Sequence, residues 1–118
     1  MQYAIARRAR TLAAAGVLLL AFAAAAPAQQ TPVVPPNQVV IDSFAFAPAT
    51  LTVAPGTQVV WINHDDEPHT VTSADGGRTF KSPALGTDDK FTFTFAQPGT
   101  YKYFCSIHRY MAGTIVVK

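Results

Sequence analysis

From Gln38 onward, short apolar runs alternate with Pro, Gly, Asn and Asp, and no segment keeps a convincing 3.6-residue period. That punctuation narrows the available folds more than any other feature. Val39-Val40-Ile41 opens a strand that Pro48 breaks, and Leu51-Thr52-Val53 forms the next. Ala54-Pro55-Gly56-Thr57 has turn chemistry, with Pro presetting φ and Gly supplying freedom. Gln58–Asn63 reads as a strand, His69–Thr72 as a short one, and Asp75-Gly76-Gly77 as a turn. Phe91-Thr92-Phe93-Thr94-Phe95 alternates strictly, the period of a strand with one buried face, so its three phenylalanines are expected in the core with Trp61. Gln97-Pro98-Gly99 leads into a strand over Thr100–Cys105, where Tyr101 is placed to fix the corner through its hydroxyl, and Thr114–Val117 is a last β-branched strand. Strands spaced by Pro/Gly turns predict an all-β sandwich or barrel.

The 118 residues leave room for one domain at most, and the first 28 read as a leader. Arg7, Arg8 and Arg10 precede an uncharged Ala- and Leu-rich run from Thr11 to Ala26, and Ala26-Pro27-Ala28 closes it with small residues. This is the layout of a secretory signal peptide over residues 1–28, and the run is short for a membrane span, which needs about 20 apolar residues. A lipoprotein anchor would need a cysteine at the cleavage site, and the only cysteine is Cys105. Residues 29–37, with Pro32, Pro35 and Pro36, read as an extended linker, which leaves 38–118 as the folded domain. Without residues 1–28 the chain carries six basic and seven acidic side chains, so the precursor pI of 8.9 is no argument for nucleic-acid binding.

A single cysteine cannot form an internal disulfide, and in an oxidising compartment it is a liability unless buried, paired with another chain or bound to metal. Cys105 lies in Cys105-Ser106-Ile107-His108-Arg109-Tyr110-Met111, a C-x2-H-x2-M spacing between two predicted strands. A tight loop there can point thiolate, imidazole and thioether at one spot, and a second imidazole, His69, lies far upstream in Pro68-His69-Thr70-Val71. Soft thiolate and thioether suit Cu(I), while imidazole serves both Cu(I) and Cu(II). His69, Cys105, His108 and Met111 are therefore the expected metal ligands. Zinc also accepts a Cys/His2 set with an open position; Met111 tips the choice to copper, because thioether is a poor zinc ligand. His64 and the run Asp65-Asp66-Glu67 read as a solvated loop.

Trp61-Ile62-Asn63, Asp65, Pro68-His69-Thr70-Val71, Pro98-Gly99-Thr100-Tyr101, Tyr103, Cys105, His108, Met111 and Gly113 together resemble the cupredoxins, with a short ligand loop most similar to that of the amicyanins. The resemblance covers nearly all of 38–118. It implies a two-sheet Greek-key β-sandwich with one type 1 copper ion per chain near one end. It implies strong ligands in His69, Cys105 and His108, an axial Met111, and a near-surface His108 as electron port. Ile107 and Tyr110 would form an apolar rim for docking redox partners, and Thr70 and Ser106 would stiffen the site by linking the two ligand loops. Many relatives carry Pro where this chain has Ile107 and Arg109; Arg109 sets a positive charge beside the port, which favours acidic partners.

The resulting expectation is a periplasmic or secreted monomer that carries single electrons between a donor and an acceptor protein, with no nucleic-acid partner and no stable membrane insertion after signal cleavage. The alternative is a copper carrier or scavenger that delivers the ion without redox cycling. An enzyme is not expected. The chain has three histidines, two of them already in the ligand set, too few for the further copper centre that oxidases and reductases of this fold need.

Overall fold

The computed structural model describes residues 12–28 and 35–118. It separates into two units, Met1–Thr31 and Pro32–Lys118. In the first, residues 12–28 form neither helix nor strand, and Leu12, Leu19 and Phe22 are fully exposed. No helix among the described residues is long and apolar enough to cross a membrane.

The second unit is built from eight strands: β1 (Gln38–Asp42), β2 (Ala45–Ala47), β3 (Thr50–Val53), β4 (Thr57–Asn63), β5 (Thr72–Ser73), β6 (Lys90–Phe95), β7 (Gly99–Phe104) and β8 (Ala112–Val117). They form two four-stranded sheets ordered β2-β1-β4-β6 and β3-β8-β7-β5. The pairs β1/β4 and β3/β8 are parallel and the rest antiparallel. Partners distant in sequence share a sheet because the chain crosses repeatedly between the layers, as expected of a Greek-key sandwich. The all-β expectation holds.

Alternating positions of each strand bury a common core. Trp61 of β4 meets Tyr103 of β7 across the layers edge-to-face at 5.5 Å, and Phe46 of β2 meets the same tyrosine at 4.7 Å. Tyr103 lies so closely over Gly113 of β8 that a methyl group there would collide with its ring. Trp61 and Phe95 are buried as expected, while Phe91 and Phe93, on the edge strand β6, are partly covered and pack against the core. The Tyr101 hydroxyl donates to the Gln97 carbonyl at 2.8 Å and fixes the corner before β7. Gly56 takes φ +87° at the third position of the turn closed by Thr57 N–H to the Ala54 carbonyl, a position a side chain would strain.

Two elements differ from the sequence reading. His69–Thr72 is not a strand. His69 makes an isolated antiparallel bridge with Leu85, and β5 starts at Thr72, because the chain near His69 is held by the 85 loop rather than by a sheet edge. The second difference is β2, which the sequence reading did not separate from β1. Ser43 and Phe44 form a two-residue hairpin with φ of +51° and +59°, in register with Asp42 opposite Ala45. Left-handed φ costs non-glycine residues about 1–2 kcal/mol each, and nothing in Asp42-Ser43-Phe44-Ala45 announces it.

Candidate metal centre

The hairpin of β7 and β8 carries one half of the site. Phe104 pairs with Ala112 at the end of the ladder, and residues 105–111 close the loop beyond it. The loop is tight because its own backbone crosses it: Cys105 N–H donates to the Met111 carbonyl at 3.0 Å, and Met111 N–H to the His108 carbonyl at 2.9 Å. Cys105 and Met111 are buried, while His108 is half-buried and Ile107 and Tyr110 stand exposed beside it.

The other half comes from the loop after β4. Asn63, fully buried, donates through Nδ2 to the Glu67 carbonyl at 2.8 Å and the Leu85 carbonyl at 2.9 Å, and accepts Asp65 N–H on Oδ1 at 2.9 Å. His69 N–H and carbonyl both pair with Leu85. These bonds hold the buried His69 ring against the 105–111 loop.

His69, Cys105 and His108 thus offer a group of donor atoms able to hold a metal. The two Nδ1 atoms are 3.2 Å apart, and Cys105 Sγ lies 3.8 Å from His69 Nδ1 and 3.9 Å from His108 Nδ1. A triangle with these edges contains a point about 2.0 Å from each nitrogen and about 2.3 Å from the sulfur, ordinary bond lengths for such donors. The spacing of the three donors therefore suits a single metal ion shared among them. His64 is exposed and outside the group.

The thiol is prepared for binding. Burial pushes Cys105 up, but Thr70 N–H (3.3 Å from Sγ), the His108 backbone and the two imidazoles outweigh it and bring it down to about 6. Thr70 and Ser106 link the ligand loops as expected: Ser106 N–H donates to Thr70 Oγ1 at 2.7 Å, and the two hydroxyls lie 2.8 Å apart.

Three contributors were missed in the sequence. Asp65, read as solvated, has its carboxylate 2.8 Å from His69 Nε2. Burial pushes that carboxyl up, yet Phe44 N–H, His69 and Ser43 N–H together hold it below the usual carboxylate value. Phe44 lies edge-on to both imidazoles, and Asn63 organises the loop. The advance signals were that Asn63 and Asp65 stand among the residues that carry the cupredoxin resemblance, and that Asp65 lies four residues before His69.

Fold and site together define a small β-sandwich with a His2Cys donor set, buried except for His108, at one end of the sandwich. A family model described as a cupredoxin-like domain matches residues 11–117, and the chain belongs to that family. It is 30% identical over 90 residues to amicyanin of Paracoccus versutus, a match covering 72% of this chain and 68% of that protein. Among solved structures it resembles a purple cupredoxin from Nitrosopumilus maritimus, with 33% identity, TM-score 0.64, and 69% of this chain and 98% of that chain covered. It also resembles a copper-containing nitrite reductase from Thermus scotoductus, with 33% identity and TM-score 0.65, covering 80% of this chain but only 25% of the enzyme.

Proposed function

We propose that this chain is an exported carrier of single electrons, with one type 1 copper ion held by His69, Cys105, His108 and Met111. The observation that carries the reading is the convergence of His69 Nδ1, His108 Nδ1 and Cys105 Sγ to within 3.9 Å of one another, with Met111 buried in the same loop. A His2Cys trigonal set with a weak thioether neighbour is the donor arrangement of blue-copper electron-transfer sites, whereas structural zinc takes tetrahedral sites. Copper bound there would supply a Cu(II)/Cu(I) couple.

The chain's own residues supply the rest. The bridge of His69 to Leu85 and the crossed backbone of the 105–111 loop hold the two donor loops in shape without help from a metal. Thr70 N–H stabilises charge on sulfur, and the Thr70–Ser106 link keeps the two loops from separating. Burial of Cys105 and Met111 excludes water. Half-buried His108 is the one donor near solvent, and Ile107, Tyr110 and Phe44 surround it with apolar surface suited to brief docking of a redox protein. Arg109 adds a positive charge to that face.

The test is the visible spectrum of the Cu(II)-loaded protein before and after ascorbate. A strong thiolate-to-copper band, lost on reduction and regained on oxidation, is expected, and Cys105→Ala should abolish it. A colourless protein, or one that releases copper on reduction, would instead favour a copper carrier or a zinc site.

A further inference from the structure

The Asp65 carboxylate reaches two parts of the chain at once. Its Oδ1 accepts Ser43 N–H at 2.7 Å; its Oδ2 accepts Phe44 N–H at 2.9 Å and lies 2.8 Å from His69 Nε2. Ser43 and Phe44 are the two left-handed residues of the β1–β2 hairpin. Two-residue hairpins of this kind normally rely on Asn or Gly; here an outside carboxylate binds both N–H groups instead. The turn sends the Phe44 ring over the site, edge-on to His69 at 5.3 Å and to His108 at 5.2 Å, with interplanar angles of 88° and 90°.

The geometry points to Asp65 and Phe44 as a paired positioning device for the two imidazoles. Asp65 fixes His69 as the Nε2–H form and holds the turn that lays Phe44 across His69 and His108. An ionised carboxylate only accepts hydrogen bonds, so His69 Nε2 carries the hydrogen and its Nδ1 lone pair faces Cys105 and His108. The two rings are oriented by different means. A hydrogen bond sets His69, while His108 makes its contacts through Nδ1, and no partner for its Nε2 is present among the described residues. Its tilt is therefore left to packing, with Phe44 against it at 5.2 Å and Tyr110 at 6.4 Å. Edge-to-face contact of this kind is directional. A strained turn kept at a functional site by a specific outside contact is how such geometry persists.

This inference rests on reading His69 and His108 as metal ligands, and its first tests use the metal-free protein. At pH 8, long-range 15N–1H spectra of the imidazoles should show His69 as the Nε2–H form. In Asp65→Asn, which keeps one accepting oxygen and replaces the other with an NH2 that cannot accept, at least one of the Ser43 and Phe44 amides should exchange at least about tenfold faster, the loss of one charge-assisted bond. Asp66→Asn should leave them unchanged. In the Cu(I) protein, Phe44→Ala should preserve the His69 form but broaden the His108 ring resonances. A His69 found as the Nδ1–H form, unaltered exchange in Asp65→Asn, or an unchanged His108 ring in Phe44→Ala would each overturn the device. If the wild-type Cu(II) protein is colourless, the electron-carrier reading fails; a coloured protein with unaltered exchange sinks this proposal alone.

Discussion

Cys105 is the residue on which opposed effects are most finely set. Burial by itself would keep its proton on, and the Thr70 and His108 backbone groups with the two imidazoles reverse that, bringing it to about 6 against an ordinary thiol value of about 8.5. The folded value is thus depressed. Its stabilising contribution is fully present above about 8.5, and it is lost as pH falls towards about 6. Denaturant melts of the metal-free protein should show stability rising with pH across that window, more steeply than in Cys105→Ala. Equal slopes would show that Cys105 titrates alike in both states, and that the hydrogen bonds around Sγ do not favour the thiolate. Coordination replaces this contribution once metal is bound, because the ligand is then the thiolate at any of these pH values.

At the scale of elements, the loop from Asn63 to His69 depends on one buried amide. Asn63 satisfies two carbonyls and one N–H from inside the fold, and each would cost about 1–3 kcal/mol if left unpaired in the interior. Asn63→Ala should therefore lower stability by at least about 2 kcal/mol and weaken metal affinity, measured by denaturant melts and metal titration, while Asp66→Ala should do neither. A stable variant with slackened metal binding would assign Asn63 to the site alone. The strands around this loop were largely legible, because period-two patterning and Pro/Gly turns are local signals: β4, β6, β7 and β8 fall within a residue or two of where the sequence set them. The C-x2-H-x2-M loop was legible for the same reason. What stayed hidden depends on distant partners. Ser43-Phe44 turns because Asp65 accepts its N–H groups from 22 and 21 residues away, and neither dipeptide nor period records that. Asp65 was set apart from Asp66 and Glu67 by the family resemblance, but its role was not, because that role rests on contacts with Ser43, Phe44 and His69. His69 looked like the start of a strand because Thr70, Val71 and Thr72 are all β-branched, but its backbone partner is Leu85 in a loop.

For the whole molecule, the question is which part of the chain does the work. The sandwich from β1 onward carries every donor atom of the site, and Asn37 ties its start to β4: the side chain donates to the Gln58 carbonyl at 2.8 Å, and the Asn37 carbonyl accepts Val60 N–H at 2.9 Å. Residues 12–28 form neither strand nor helix. The leader proposed over 1–28 and the linker proposed over 29–37 fall partly outside the described residues, and Asn37 at the end of that linker is bonded to the domain proposed over 38–118. Expressed in a Gram-negative host, the chain should be recovered from the periplasmic fraction with an intact mass lacking residues 1–28, and its first residue should be Gln29. Because no metal donor lies in the removed part, the cleaved protein should bind one copper per chain and elute as a monomer of about 90 residues. An uncleaved chain in the membrane fraction would mean that the Ala- and Leu-rich run serves as an anchor. The electron carrier would then work tethered at the membrane surface, where its partners would be limited to those within reach of a short proline-containing stem.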